Sequence, residues 1–388
     1  MDFSTSEEDR ALRAAVAEVA ASFGHDYYTR KAEAREPTTE LWSALGKQGY
    51  LGVNIPAEFG GGDAGLSELA VVCEETAAQG TPLLLTLVSC GISAEVIAAY
   101  GTPEQKREWL PRLATGEAMV IFAITEPDAG TNTHRLATTA TRDEATGDYV
   151  LRGQKYYISG VDQAEAILVV ARTGTDDEGR AELSLFIVDT GAAGLTAQPL
   201  PVSVTLPERQ FTLFFDDVRV PASRLVGTEG NGFRQVFHGL NPERITGAAL
   251  CVGIGRFALD KAAKYASERT VWDTPIGAHQ GVSHALATAK IEIESAGLMT
   301  AKAAWLHDHA RASEEAGEAA NMAKYLAAEA AINAVDAAIQ AHGGNGVSTE
   351  HGLIPLWGLA RLLRIAPVNR EMILNYVAQH SLGLPRSY

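Results

Sequence analysis

A short polar turn that directly follows an apolar run is the first stretch of the chain whose residues could bind a ligand. Residues 124–132 read Ile-Thr-Glu-Pro-Asp-Ala-Gly-Thr-Asn, and the run before them, Ala118 to Ile124, is apolar enough for a buried strand. Pro127 would end that strand, and Gly130 would let backbone amides approach a ligand. The hydroxyls and the amide in this turn supply hydrogen-bonding groups. These residues alone are equally compatible with a binding turn and with an ordinary exit from a strand.

Histidine and cysteine, the other residues that could do chemistry, show no catalytic or metal-binding pattern. His307-Asp-His309 places two imidazoles two residues apart, where they face different sides of a helix, so we expect surface residues and no metal. Cys73, Cys90 and Cys251 are odd in number and form no C-x-x-C pair, which predicts thiols in the core. H-E-x-x-H, P-loop and Ser-His-Asp patterns are absent from the sequence.

Length and charge limit the class of protein. A chain of 388 residues is too long for one small core, and a mean hydropathy of -0.02 is typical of a soluble globular protein. The net charge of -16 opposes binding to nucleic acid. No apolar run reaches the roughly eighteen residues that a membrane span needs, and the acidic first residues are unlike a targeting peptide. We therefore expect a cytoplasmic protein without nucleic-acid or membrane partners.

Hydrophobic periodicity divides the chain into three regions, which we predict as residues 1–117, 118–222 and 223–388. The first region has helical spacing and begins near Thr5 and Glu8, which stand at capping-box distance. The middle region contains short β-branched and aromatic runs without intervening helices, which predicts an antiparallel β domain rather than a Rossmann fold. The last region has long alanine-rich stretches typical of a four-helix bundle. Its helices are predicted at residues 233–240, 243–267, 280–312, 319–341 and 353–380.

Four motifs in this order resemble the acyl-CoA dehydrogenase family. They are Ala123-Ile-Thr-Glu-Pro-Asp-Ala-Gly-Thr131, Gly153-Gln-Lys-Tyr-Tyr-Ile-Ser-Gly160, Phe215-Asp-Asp-Val-Arg-Val-Pro221 and Gln340-Ala-His-Gly-Gly-Asn-Gly346, and the resemblance covers nearly the whole chain. It implies an α+β multidomain fold with an N-terminal helical domain, a middle antiparallel β domain and a C-terminal four-helix bundle. It further implies FAD at a subunit interface, a homo-oligomer that is usually a tetramer, and a separate electron-transfer flavoprotein as electron acceptor.

The same resemblance implies the residues of a flavin and thioester site. Thr125 would hold the pyrimidine edge of the flavin, Tyr157 would lie against its ring, and Ser159 would reach toward N5. Arg269 would pair with the pyrophosphate, a role that suits guanidinium geometry. The other possibility for Tyr157 is a strand aromatic that packs in the β-domain core. The full set of implied cofactor contacts is Phe122, Ile124, Thr125, Gly130, Thr131, Tyr157, Ile158, Ser159, Arg269, His279, Gln280, Gln340, Gly343, Gly344, Asn369 and Glu371.

The catalytic base has to be assigned to one of two positions that the family uses. An ungapped count from Gly343-Gly344 puts Pro367 where many relatives carry a glutamate, and proline can neither accept a proton nor donate a backbone N–H. The second position, used in the isovaleryl-CoA and long-chain branches, is filled here by Glu243 in Asn241-Pro-Glu-Arg-Ile245. We therefore predict Glu243 as the base. The alternative is that Glu243 is only a first-turn acid of a helix that begins after Pro242.

Thr131, Asn241 and Arg244 are the implied contacts to the thioester substrate, although Asn241 and Thr131-Asn132 replace residues that are common in relatives. Ala366 replaces a bulky aromatic residue beside the base, which suggests a roomier acyl pocket. The predicted reaction is α,β-dehydrogenation of an acyl-CoA, or of another acyl-carrier thioester, to the trans-2-enoyl product in fatty or branched-chain acyl metabolism. A same-fold enoyl-thioester reductase, a desulfinase-like enzyme, a flavin oxygenase and a non-enzymatic flavin-binding scaffold remain open at this point.

Overall fold

The N-terminal third of the chain is helical, as predicted. The structure is a computed structural model that describes residues 6–386. Ser6 caps the first helix by accepting a hydrogen bond from the Asp9 backbone N–H at 3.0 Å, whereas Thr5 of the expected capping box lies outside the described residues. This region contains α1 (Glu7–Ala34), α2 (Thr39–Lys47), α3 (Leu66–Ala78), a π-helical segment (Thr86–Ala94), α4 (Glu95–Tyr100) and α5 (Pro103–Ala114).

The middle of the chain is a β domain with one eight-stranded sheet. Its strands are β1 (Val120–Ala123), β2 (Thr139–Arg142), β3 (Tyr149–Ser159), β4 (Ala166–Thr175), β5 (Ala181–Asp189), β6 (Leu195–Leu200), β7 (Gln210–Val220) and β8 (Leu225–Val226). The sheet order is β6-β7-β3-β2-β4-β5-β8, with β1 paired to β4. Most pairs are antiparallel as predicted, but β1 and β2 each pair with β4 in parallel. Because Ala123 at the end of β1 pairs with Val169 of β4, the turn that follows Ala123 lies next to β4 of this sheet.

The C-terminal region is a helical bundle in which one helix is longer than predicted. Its elements are α6 (Gly232–Glu268), α7 (Gln280–Ala310), α8 (Glu314–His342), α9 (Leu353–Leu363) and α10 (Arg370–Tyr376), with a hairpin of β9 (Thr270–Val271) and β10 (Thr274–Pro275) between α6 and α7. The predicted break at Pro242 is wrong, because α6 continues through this proline. The packing of α6 against other helices outweighs the hydrogen bond that the proline removes. The predicted helix 353–380 is divided around Pro367 instead.

Close helix packing explains the glycine at position 253. A Cβ at Gly253 would lie 2.2 Å from the Glu74 carbonyl oxygen, so only glycine lets α6 approach α3 this closely. The three cysteines are buried thiols, as predicted.

The expectation that His307 and His309 are both surface residues is wrong for His307, which is buried. Asp308 between them accepts hydrogen bonds from the Leu66 and Ser67 backbone N–H groups and so caps α3. This cap holds α7 against the start of α3, in the part of α7 that carries the buried His307. Along residues 6–386, no helix combines the length and the apolar character that a membrane crossing requires.

Candidate functional site

The polar turn after β1 is a tight bend held against β3. Glu126 and Ala129 exchange two backbone hydrogen bonds of 3.2 and 3.1 Å around Pro127-Asp128. The Tyr156 backbone N–H donates to the Thr125 carbonyl at 2.8 Å. The Thr125 side chain is part-buried, and the Cβ position of Gly130 has no atom within 4 Å, so this side of the bend is open.

A buried ion pair fixes this bend, and the sequence reasoning missed it. Lys155 is 0% and Glu126 5% exposed, and their charged atoms lie 2.8 Å apart. Lys155 also donates to the Ile124 carbonyl at 2.9 Å, while the Glu126 carboxylate accepts from the Ala137 and Thr138 backbone N–H groups. Burial opposes the ionisation of Glu126, but Lys155 and these donors outweigh it and lower the pKa of the carboxyl group. The only sequence signal was an acid inside the turn motif and a lysine inside the next motif.

Tyr157 projects from a β-bulge instead of packing in the core. The pairing of β3 with β7 shifts register between Lys155 and Ile158, and Tyr157 takes a positive φ of 57° there. Its side chain is 55% exposed, with the ring 4.3 Å from that of Tyr156. The alternative of a core aromatic is therefore wrong, and the bulge presents a tyrosine ring beside the Thr125 turn.

Of the other residues of the expected flavin site, Ser159 can contact a ligand through its side chain, whereas Phe122 and Ile158 cannot. The Ser159 hydroxyl donates to Gln210 Oε1 at 3.0 Å, and the Nε2 atom of Gln210 has no partner among the described residues. The side chains of Phe122 and Ile158 are buried in the core, so they can contact a ligand only through the backbone.

Thr131 connects the turn to the C-terminal bundle. Asn369 Nδ2 donates to Thr131 Oγ1 at 3.0 Å, and Asn369 Oδ1 caps α10 by accepting from the Met372 backbone N–H. The structure thus brings together two expected contact residues that are 238 positions apart in the sequence.

Glu243 lies in the first half of α6 on a face that packs against the π-helical segment. Gly239, one turn earlier on the same face, would place a Cβ 2.8 Å from Ile92 of that segment. Glu243 is part-buried, and among the described residues its carboxylate has no hydrogen-bond or ion-pair partner. Burial raises its pKa to about 7, against smaller opposing effects of Arg244 and Lys324. The alternative of a first-turn acid is wrong, since α6 begins at Gly232.

Asn241 and Arg244 form one unit beside Glu243. Arg244 donates from a terminal nitrogen to Asn241 Oδ1 at 2.6 Å, while its Nε is buried without a partner. Burial lowers the pKa of Arg244, against the opposing effects of Glu243 and Tyr376. An unpaired guanidinium donor next to the open carboxylate can bind an acceptor atom of a ligand.

Six of the expected cofactor contacts lie at the far end of the bundle. Arg269 caps α6, and from residue 243 to residue 269 the helix rises by about 39 Å at 1.5 Å per residue. Tyr265 of this end stacks on His342 at 4.2 Å and accepts a hydrogen bond from Asn345, so Gly343 and Gly344 lie here too. Arg269, His279, Gln280, Gln340, Gly343 and Gly344 are exposed. One chain therefore does not bring these residues to the site around Glu243.

A buried lysine near Glu243 is a further residue that sequence reasoning missed. Lys324 of α8 is 3% exposed and donates to the Val368 carbonyl at 2.6 Å. Its only signal was that it is the one lysine or arginine in the alanine-rich sequence of α8.

Family models and related proteins all indicate the same protein family for this chain. The models match as "Acyl-CoA dehydrogenase, N-terminal domain" at residues 6–117, the middle domain at 121–218 and the C-terminal domain at 230–382. The chain is 55% identical over 386 residues to the acyl-CoA dehydrogenase FadE12 of Mycobacterium tuberculosis, covering 100% of this chain and 99% of that protein.

Solved structures show the same similarity. A glutaryl-coenzyme A dehydrogenase in complex with glutaryl-CoA superposes with a TM-score of 0.92 at 28% identity, covering 100% of this chain and 98% of that one. A glutaryl-CoA dehydrogenase from Mycobacterium smegmatis in complex with FADH2 gives a TM-score of 0.90 at 26% identity, with 99% and 96% covered.

Proposed function

The chain belongs to the acyl-CoA dehydrogenase family, and we propose that it oxidises an acyl-CoA thioester to the trans-2-enoyl-CoA with Glu243 as the base. It is a flavin-dependent oxidoreductase of this family, and its cofactor is FAD. The observation that carries the proposal is a desolvated glutamate on α6 whose carboxylate has no partner among the described residues, in a chain that has proline at the family's other base position.

The residues around the Thr125 turn fit a flavin. The exposed Tyr157 ring offers a stacking face. Thr125, the Ser159 hydroxyl oxygen and Gln210 Nε2, which has no partner among the described residues, offer hydrogen bonds to polar ring edges. We assign Thr125, Tyr157 and Ser159 to the flavin ring, as the sequence resemblance implied. When bound, FAD accepts the β-hydrogen of the substrate together with its electron pair.

The role of Glu243 follows from the weak acidity of a thioester α-proton. A base works best when its pKa lies near the working pH, and burial brings that of Glu243 to about 7. Its free carboxylate oxygens can take the proton, because among the described residues no donor occupies them. In the reverse direction the same carboxyl group returns the proton, so the base assignment serves an enoyl-thioester reductase as well.

We propose that the carrier portion of the substrate passes between the Thr131 turn and α6. His134, which follows the turn, stacks on Phe233 of α6 at 5.1 Å, and Phe233 contacts Phe237 edge-on. Both phenylalanine rings are exposed, and they lead along α6 toward Asn241 and Arg244. This apolar path supports a CoA pantetheine chain, with Thr131, Asn241 and Arg244 as polar contacts.

We propose a homo-oligomer, because the Arg269 end of each chain is about 39 Å from its own Glu243 and can serve the FAD of another copy. The surface supports this arrangement. Trp272, at the tip of the β9-β10 hairpin beside Arg269, is 87% exposed. Ile291, Leu298 and Trp305 form an exposed apolar stripe at seven-residue spacing on α7. A tetramer is the expected state, and an electron-transfer flavoprotein is the expected acceptor.

Anaerobic titration of the FAD-loaded protein tests this function. Butyryl-, isovaleryl-, glutaryl- and palmitoyl-CoA represent short, branched, dicarboxylic and long acyl groups. We expect at least one class to bleach the flavin and to yield the trans-2-enoyl product. A protein that no acyl-CoA reduces, but that enoyl-CoA reoxidises after chemical reduction, would be a reductase. Oxygen consumption by the reduced protein with substrate bound would identify an oxygenase.

A further inference from the structure

A cavity of about 390 Å³ lies at the junction of the helical and β domains. It is lined by the start of α2 and by the connections from α1 to α2, from α3 to the π-helical segment, from α5 to β1, from β3 to β4 and from β6 to β7. This volume falls in the range of about 300 to 1,000 Å³ that is typical of small-molecule pockets. None of the described residues that line the cavity belongs to the expected flavin or thioester contacts.

Glu208, on the connection from β6 to β7, contributes a buried carboxylate to the lining of this cavity. The residue is 3% exposed, and its Oε1 atom accepts a hydrogen bond from the Leu84 backbone N–H at 3.2 Å. Its Oε2 atom is buried and has no hydrogen-bond partner among the described residues. Because an unsatisfied buried carboxylate oxygen is costly, a ligand that brings a hydrogen-bond donor to Oε2 would be stabilised there.

The charges around the cavity favour a cationic ligand. Glu117 and Asp162 also line it, but each has an arginine partner that does not, Arg112 at 3.8 Å and Arg209 at 3.4 Å. Glu208 has no such partner in the described part of the chain. Burial raises the pKa of Glu208 to about 7, and a bound cation would favour its ionised form. The described lining contains no lysine, arginine or histidine, so an anion would meet only acids.

The rest of the lining suits an organic cation better than a metal ion. Trp42, Leu83, Leu85 and Met119 supply apolar surface against which a hydrocarbon body can pack. The Trp42 indole N–H donates to the Gly116 carbonyl at 3.2 Å, which fixes the indole ring. Residues 6–386 contain no group of three or more histidine, cysteine, aspartate or glutamate side chains that could hold a metal ion.

Gln163 adds a second polar group to the lining. Its Nε2 atom is buried and has no hydrogen-bond partner among the described residues. This amide can donate to an oxygen atom of a ligand, whereas Glu208 Oε2 can only accept from one when it is ionised. The cavity therefore offers one acceptor, one donor and an apolar wall.

We propose that this cavity binds a small organic amine in its protonated form. The ammonium group donates to Glu208 Oε2, and the apolar body of the amine packs against Trp42 and its apolar neighbours. The inference goes beyond the proposed function and does not depend on it, because it uses none of the residues assigned to the flavin, the thioester or the base.

Three probes with the same ring separate charge from shape: benzylammonium, benzyl alcohol and benzoate. Isothermal titration calorimetry of the FAD-loaded full-length protein measures their dissociation constants. We expect benzylammonium to bind at least about tenfold more tightly than benzyl alcohol, and benzoate to bind more weakly than both. Hydrogen–deuterium exchange locates the site, since benzylammonium should slow exchange in residues 37–43 and 116–119.

Glu208→Gln removes the charge but keeps an oxygen atom that can accept from the Leu84 N–H. We expect this variant to bind benzylammonium about tenfold to a hundredfold more weakly, and benzyl alcohol within about twofold of the wild type. Glu117→Gln is the matched control, because Glu117 lines the same cavity but is exposed. Its affinity for benzylammonium should fall less than about threefold.

Equal affinities of the wild type for benzylammonium and benzyl alcohol would overturn the inference. Equal weakening in Glu208→Gln and Glu117→Gln would also overturn it, because benzylammonium would then only be attracted to a chain of net charge -16. If Glu208→Gln does not fold, the three probes and the exchange protection in the wild type decide. Each of these readouts is a binding measurement, so it stands whether or not the protein oxidises an acyl-CoA.

Discussion

At the scale of single residues, the proposed reaction depends on how burial changes the proton affinity of Glu243. Its pKa of about 7, against an ordinary value of 4.5, means that the carboxyl group is half ionised near neutral pH. Only the ionised form can accept the substrate α-proton. We therefore predict that the rate of flavin bleaching rises with pH through about 7 and then levels off, as measured by anaerobic stopped-flow absorbance. A rate that is flat from pH 5 to 9 would contradict this assignment.

The raised pKa of Glu243 also makes the stability of the folded protein depend on pH. The folded state holds the Glu243 proton more tightly than the unfolded state, so this group makes stability fall as the pH rises from about 4.5 to 7. Glu243→Gln removes that loss. At pH 8 we expect the variant to be more stable than the wild type by on the order of 1 to 2 kcal/mol, discounted for screening at a part-exposed group, and the gain should disappear at pH 4.5. Thermal unfolding at both pH values measures it.

At the scale of elements, local patterns predicted the type of each region better than the ends of its helices and strands. The helical, β and helical order is confirmed. Pro242 was read as a helix start, but packing of α6 against α3 and α8 outweighs the cost of one proline. The parallel pairing of β1 with β4 also escaped prediction, because strand partners depend on contacts that are distant in the sequence. The residues of the turn were predictable from its motif, whereas Lys155 and Lys324 become informative only through their partners in space.

The Glu126–Lys155 pair should control how firmly the turn and β3 are held together. Replacing one partner leaves an uncompensated buried charge, so we expect Glu126→Gln or Lys155→Met to lower the free energy of unfolding of the β domain by about 3 to 5 kcal/mol. Both variants should also lose FAD on gel filtration, since the pair fixes Thr125 and the Tyr157 bulge. Absorbance at 450 nm and thermal unfolding measure the two effects.

The control for this prediction lies on the same strand. Arg152 of β3 pairs with Asp217 of β7 at an exposed position, and Arg152→Gln should cost less than about 1 kcal/mol and leave FAD bound. Equal losses in the buried and exposed variants would show that the buried pair has no special role in the cofactor site.

At the scale of the whole molecule, the proposal that the two groups of cofactor residues serve one FAD site requires at least two copies of the chain. We predict that Arg269→Ala and Glu243→Gln, each nearly inactive alone, regain part of the wild-type activity when co-expressed. In a mixed oligomer, some sites combine an intact Glu243 from one chain with an intact Arg269 from another. Purification through two different affinity tags isolates these hetero-oligomers for assay. Activity no higher than that of the separate variants would contradict the shared site.

The interface can be tested apart from catalysis. Ile291→Glu with Leu298→Glu places two charges in the exposed apolar stripe of α7, and light scattering should then show a smaller assembly with weaker FAD binding. Lys290→Glu beside them is the control, since this exposed residue pairs with Glu294 of its own helix and with no other acid in the described part of the chain. An unchanged mass in the double variant would place the contact elsewhere.

The most direct test of the central claim is the rate at which an acyl-CoA reduces the flavin of Glu243→Gln. We predict that this variant keeps FAD and its substrate affinity but bleaches about 10² to 10⁴ times more slowly than the wild type. Glu208→Gln is the matched control, because Glu208 is also a buried glutamate with a pKa raised to about 7 by burial, but it lies at the junction of the helical and β domains. Its bleaching rate should stay within a few-fold of the wild type. A Glu243→Gln enzyme that bleaches as fast as the wild type would contradict the assignment of the base.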